Sequence, residues 1–231
     1  MAEWLNTTFS GFDGSIFNAM HNLAVKAGGF FTPFFKVISF LGEKGIFFIT
    51  IALVLLLFSK TRKIGICTLG AIAFGALFTN IILKEVIARP RPFDAGYYDF
   101  WAFVGKPVED GFSFPSGHAT ATMAAATALL FTANKKWSWS GMILTILMGL
   151  SRIYLTVHYP TDVIAGLIVG AISGTIAFFI TKLIYHLLDK YKNKRFFEFV
   201  KQFDLIKNRK GKSKEEIEEN QQTEQTEKAT E

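Results

Sequence analysis

The chain has 231 residues, a formal net charge of +6, 50% hydrophobic residues, 25 Phe and a mean hydropathy of +0.30. That length suits one domain, with room for a tail. The positive hydropathy argues against an ordinary soluble enzyme and for a membrane protein. The apolar content excludes disorder over most of the chain. A single cysteine, Cys67, excludes an intramolecular disulfide and any multi-cysteine metal site.

From the N-terminus, Ser15 to Lys26 is amphipathic, with Ile16, Phe17, Met20, Leu23 and Ala24 at helical spacing. Gly28 and Gly29 break the pattern, and Phe30 to Leu41 continues as an apolar segment holding Pro33 and Lys36. This region reads as a sixth span, a re-entrant hairpin or an interfacial helix. A cleaved signal peptide is not expected, because a basic leading segment is missing. Five uncharged stretches follow: Gly45 to Ser59, Ile64 to Leu83, Ala119 to Asn134, Trp137 to Ser151 and Val163 to Thr181. A transmembrane helix needs about 20 apolar residues. Two stretches meet that alone, and three need their polar ends counted. All five are predicted to span, and buried helices of a soluble protein are the alternative. The expected organisation is an N-terminal segment 1–44, a catalytic transmembrane core 45–190 and a Lys/Glu-rich tail 191–231. The tail is too polar to fold alone.

The basic residues predict orientation. Lys60, Arg62 and Lys63, then Lys135 and Lys136, then Lys190, Lys192, Lys194 and Arg195 follow alternate spans. The positive-inside rule places these clusters, and the tail, in the cytoplasm. Segments 84–116 and 152–162 then face the other side of the plasma membrane. The net charge follows from this topology, and no aromatic-basic stripe for nucleic acid appears.

The chemistry-bearing residues lie on that outer side. Lys84, Arg89 and Arg91 precede or flank Pro90 and Pro92, which end the helix. Cations there suit an anionic head group. Snorkelling, or pairing of Lys84 with Glu85 and of Arg89 with Asp94, is the bland alternative. Ser116, Gly117 and His118 open the third strong span. Ser is a favoured N-cap, the first turn offers free N–H groups, and Gly117 permits close approach, so this end is fit for phosphate. His118 can transfer a proton there. An ordinary capped helix would look the same. Arg152, His158 and Asp162 straddle the last loop, with Pro160 at the first helical position. A carboxylate near a histidine can fix its tautomer. It can equally serve only the helix dipole.

The pattern Lys84-x6-Arg91-Pro92, Pro115-Ser116-Gly117-His118 and Ser151-Arg152-x5-His158-x3-Asp162 resembles the three signature motifs of the type-2 phosphatidic-acid phosphatase superfamily. The resemblance covers roughly residues 45–185. It implies an all-α, polytopic bundle of about six transmembrane helices with an extracytoplasmic active site. By the same resemblance His158 is the nucleophile, Asp162 orients it and His118 is the acid and then the base. Lys84, Arg91, Arg152, Ser116 and Gly117 hold phosphate. Neither metal nor cofactor is expected. The expected substrate is a lipid phosphate or diphosphate, undecaprenyl diphosphate first, with phosphatidylglycerophosphate and phosphatidic acid behind it. A non-catalytic lipid-phosphate binder or transporter, and a vanadate haloperoxidase, are the rival readings. Oligomeric state is not legible.

Overall fold

The computed structural model describes residues 1–190 apart from 97–99 and 106–108. The predicted tail 191–231, with Lys192, Lys194 and Arg195, lies outside the described residues. Among the described residues the chain is helical, with no strand. A short helix α1 (Ala2–Thr8) leads into α2 (Ser10–Leu41), and α3 (Ile46–Leu56) follows. Helix α4 (Arg62–Ala76) passes through a π-helical stretch at Leu77–Leu83 into α5 (Lys84–Ile87). After the short α6 (Trp101–Val104) come α7 (Gly117–Thr132), α8 (Lys135–Tyr154) and α9 (Pro160–Lys190). Of the three stretches short of the needed length, Trp137–Ser151 gains it from polar ends in α8, which has 20 residues, whereas α3 and α7 form helices of 11 and 16 residues.

Helix α9 shows why the bundle belongs in lipid. Its large side chains Ile164, Ile168, Ile172, Phe179 and Leu183 are exposed on one face. Beyond its first turn, its buried positions are Gly166, Gly170, Ser173, Gly174, Ala177 and Thr181. A water-soluble helix would place these groups the other way round. In a bilayer the tails are as apolar as leucine, so helices associate by close packing of small residues. By length and composition alone, three helical segments, Ser10–Leu41, Arg62–Ala95 and Pro160–Lys190, are able to cross.

Helix α7 lies at the centre, against α4, α8 and α9. Its contact with α9 depends on glycine. A Cβ on Gly170 would stand 2.5 Å from the Thr120 carbonyl oxygen and 3.0 Å from the Ala124 nitrogen. Both are backbone atoms and cannot rotate away. The small residues Cys67, Ala71, Ala124, Ala128 and Ala177 continue this seam between α4, α7 and α9.

The two ends of the bundle differ. At one end Lys63 lies 5.7 Å from the Tyr185 ring, which brings the start of α4 to the end of α9. At the other end the motif residues gather. Helix α2 has non-helical angles at Ala27 (φ −143°, ψ 24°), one residue before the predicted glycine break. Unbent, 32 residues would reach about 48 Å. Instead Asp13, near one end, bonds Thr161 and Arg89, while Ser39, near the other, bonds Arg152. Both arms of α2 therefore return to the same rim.

Gly170→Ala is expected to destabilise the protein by about 1–3 kcal/mol, the usual cost of overpacking a tight contact. Thermal unfolding in mild detergent measures it, and an unchanged midpoint would contradict the close α7–α9 seam.

Candidate active site

Three local devices build the rim. The α4–α5 rod stops at Ala88, which has left-handed angles (φ 51°), just ahead of Pro90. Lys84 is left in the last helical turn, half-buried, its carbonyl accepting from the Ala88 N–H and its ammonium without a hydrogen bond or ion pair to another described residue. Helix α7 begins at the Ser116 cap, whose Oγ accepts from the Ala119 N–H at 3.4 Å. The Ser116 N–H donates to the Asp162 carbonyl at 3.0 Å, tying the start of α7 to the start of α9. Between α8 and α9 the chain turns through Thr156 (φ 58°), and the N–H groups of Val157 and His158 both donate to the Arg152 carbonyl. That turn fixes His158 relative to Arg152.

Most of the predicted site residues meet in two adjoining cavities. One, of about 230 Å³, is lined by Lys84, Arg91, Gly117, His118 and His158, with Asn80 and Glu109. The second, of about 280 Å³, is lined by Arg152, Lys36, Ser39 and Glu43, and shares His118 and Glu109 with the first. Ser116 is fully buried beneath them as the helix cap and lines neither. Asp162 is likewise buried behind His158. Its Oδ2 is 3.7 Å from His158 Nδ1, beyond hydrogen-bond range, and accepts from the Tyr159 N–H at 2.9 Å. His158 Nδ1 is buried without a hydrogen bond.

The arginines hold different posts. Arg91 donates to three backbone carbonyls, those of Gly111, Val157 and Asp110, at 2.8–3.0 Å, and so is rigidly aimed. Arg152 donates to the Ser39 hydroxyl and the Glu109 carboxylate, while its Nε is buried and unpartnered. Arg89 does not pair with Asp94. It is 1% exposed and donates to Asp162, Asp13, Thr161 and Asn6 at 2.6–2.9 Å, with its guanidinium 3.7 Å from the Tyr159 ring centroid. The sequence placed Arg89 in an interfacial cation cluster. The structure makes it a buried tie between α2 and α9.

Sequence reasoning missed Asp13 and Glu109. Asp13 is 2% exposed and also accepts from the Thr161 N–H at 3.0 Å. Its only signal was a carboxylate on the apolar side of an amphipathic helix. Glu109 carries no motif at all. Its carboxylate bonds Arg152 with one oxygen and lies 3.4 Å from Arg91 Nη2 with the other.

The electrostatics follow from this crowding. Burial, reinforced by the charges of Arg91 and Arg152, pushes the His158 imidazole well below the ordinary histidine range. At neutral pH it is therefore uncharged and has a free lone pair. Burial works to raise the Glu109 carboxyl, yet Arg152, His118 and Arg91 outweigh it and hold the group below the usual glutamate range. A neutral imidazole, rigid cations and a helix N-terminus around one cavity can bind a phosphoryl group and attack it.

The PAP2 superfamily profile matches residues 64–185, more than half of the chain. The chain belongs to that superfamily. It is 37% identical over 124 residues to the undecaprenyl-diphosphatase of Sulfolobus acidocaldarius, covering 53% of this chain and 58% of that one. It is 33% identical over 120 residues to the undecaprenyl-diphosphatase BcrC of Bacillus subtilis, covering 52% and 60%. These alignments span about three fifths of each relative's length. Among solved structures, a transmembrane PAP2-type phosphatidylglycerolphosphate phosphatase from Bacillus subtilis superposes with a TM-score of 0.55 and 26% identity, over 79% of this chain and 88% of that one. The all-α transmembrane architecture and the superfamily membership expected from the sequence both stand.

Asp13→Ala leaves Arg89 with one carboxylate fewer in a buried place. The expected loss is about 3–5 kcal/mol, as for other broken buried ion pairs. Chemical or thermal unfolding in detergent checks it, and a change under 1 kcal/mol would deny Arg89 its role as the tie.

Proposed function

We propose that the protein is an integral membrane phosphatase that removes the terminal phosphate of a lipid diphosphate, undecaprenyl diphosphate before others. The observation that carries this reading is the cavity shared by His118, His158, Lys84, Arg91 and the Gly117 end of α7. The names of the Sulfolobus and Bacillus relatives support the choice of substrate. The similarity to the Bacillus phosphatidylglycerolphosphate phosphatase favours that lipid as the second candidate.

In the proposed reaction the phosphate enters the cavity with its oxygens toward Lys84, Arg91, Arg152 and the first N–H groups of α7. Asp162 lies on the Nδ1 side of His158, so Nε2 attacks phosphorus. A nitrogen–phosphorus bond forms as the bond to the leaving oxygen breaks. His118 gives that oxygen a proton. The incoming phosphate supplies the negative charge that favours a protonated His118. In the second step His118 takes a proton from water, whose oxygen displaces His158 and frees inorganic phosphate. Three cations supply the charge stabilisation that a metal gives in other phosphatases, and we assign no metal to the reaction. Among the described residues no three His, Cys, Asp or Glu side chains are grouped to hold one. The positive-inside rule puts this rim outside the cytoplasm.

Purified protein is expected to release inorganic phosphate from undecaprenyl diphosphate in EDTA. A pure binder would release none, and activity restored only by added divalent metal would refute the metal-free scheme. His158→Ala is expected to lower kcat by at least about 10⁴-fold while the protein still folds and binds. Full activity in that variant would remove His158 from its role.

The pH dependence follows from the direction of the His158 shift. Its folded value lies below the ordinary imidazole value, so the reactive neutral form persists as pH falls. The acid limb of kcat/KM assigned to it is expected below pH about 6.5, the free imidazole value. A limb at or above that value would show that His158 is not so buried in the working enzyme.

For orientation, a cysteine at Asp110 in a Cys67→Ala background is expected to react with an impermeant thiol reagent on intact cells. A cysteine at Lys135 is not. The opposite pattern would turn the site to the cytoplasm.

A further inference from the structure

The site contains an anion of its own. The Glu109 carboxylate joins Arg152 of α8 and Arg91 of the extended segment after α5, two arginines whose remaining donors are largely committed to protein oxygens. It lies where the two cavities meet, since Glu109 and His118 line both. The group is a quarter exposed and stands on the loop between α6 and α7, whereas both arginines are nearly fully buried. Its partners are therefore fixed, and the carboxylate is the member that can leave. Asp110 at the edge of one cavity and Glu43 in the other add two more carboxylates, against the single ammonium of Lys36.

We propose that Glu109 is a specificity-determining residue: its carboxylate occupies the phosphate site and yields only to a phosphate carrying at least two negative charges. The physical reason is charge exchange. A phosphodiester brings one negative charge, the same as the carboxylate it would displace, and so gains nothing against a group already tethered in place. A phosphomonoester or a terminal diphosphate brings more charge, and one oxygen more than a carboxylate, to the same two guanidiniums, whose planar forks bind phosphate oxygens in pairs. The surrounding bilayer presents phosphodiester heads at high local concentration. Glu109 excludes them from Arg91 and Arg152 while admitting terminal phosphates. Glu109 is held ionised by the same cations, which keeps this competitor charged at neutral pH.

This inference rests on the proposed phosphate site, but its test does not need turnover. Full-length protein in detergent is compared with Glu109→Gln, which keeps the shape and loses the charge. Inorganic phosphate binding, read by calorimetry and by the thermal midpoint, is expected to tighten about tenfold in the variant. Phosphatidylglycerol in mixed micelles is expected to become a competitor of phosphate there and not in the parent. With a lipid phosphate as substrate, KM is expected to fall, and kcat to fall with it as the product phosphate leaves more slowly. If Glu109 merely positions the arginines, phosphate binding weakens and KM rises, which overturns the proposal. Unchanged phosphate affinity in a variant with a native melting transition overturns it too. Glu109→Asp retains charge on a shorter arm, and its phosphate affinity is expected between those of the parent and Glu109→Gln. An affinity outside that interval counts against the idea. Should the phosphate arm succeed while the parent hydrolyses no lipid phosphate, the catalytic reading fails and the anion competition stands.

Discussion

The rim of this bundle depends on one buried guanidinium. Arg89 joins Asp13 of α2 to Asp162 of α9 and stacks on Tyr159, the residue next to His158. Each of these groups alone would be costly to remove from water. Together their donors and acceptors are matched, and the Thr161 hydroxyl and Asn6 complete the set. The arrangement couples the first forty residues to the loop that carries His158. It also commits Asp162 to Arg89 and to the Tyr159 N–H, so that the carboxylate stands 3.7 Å from His158 as a nearby charge and not as a direct acceptor.

Below the rim the logic changes from charge to shape. The contacts among α4, α7 and α9 are made mainly by glycine, alanine, serine, threonine and Cys67, and most bulky side chains of α9 face outward. That inversion allows backbones to approach closely where no hydrophobic effect drives helices together. It also gives the rim a rigid base. Ser116 bonds the Asp162 carbonyl, and Gly166 passes so near the Ser116 carbonyl that an added Cβ would lie 2.6 Å from it. The start of α7, which presents Gly117 and His118, is thus held against the start of α9.

The cations around the cavities are not equivalent once their partners are counted. Arg91 is locked by backbone carbonyls, Arg152 shares Ser39 and Glu109, Arg89 is withdrawn into the scaffold, and the Lys84 ammonium has no hydrogen-bond or ion-pair partner among the described residues. Cations held this way are aimed before any ligand arrives. On the proposal above, the readiness of Glu109 to give up its place would set the affinity for phosphate.

The sequence by itself determined the membrane class, the five strong apolar stretches and the three clusters that converge. Those signals are local: hydropathy over one helix length, a cap residue, a proline, a spacing. It also placed Lys84, Arg91, Gly117, His118 and His158 at helix ends on one side, and these line one cavity. What only the tertiary structure decided were pairings across long separations. Arg89 meets Asp13 over 76 positions and Arg152 meets Glu109 over 43. The fold-back of α2 depends on Ser39 finding Arg152 and Asp13 finding Thr161, not on Gly28 or Pro33 alone. A carboxylate in an amphipathic helix or a loop has no local pattern that names its partner. Burial and the matching of charges in three dimensions supply that choice.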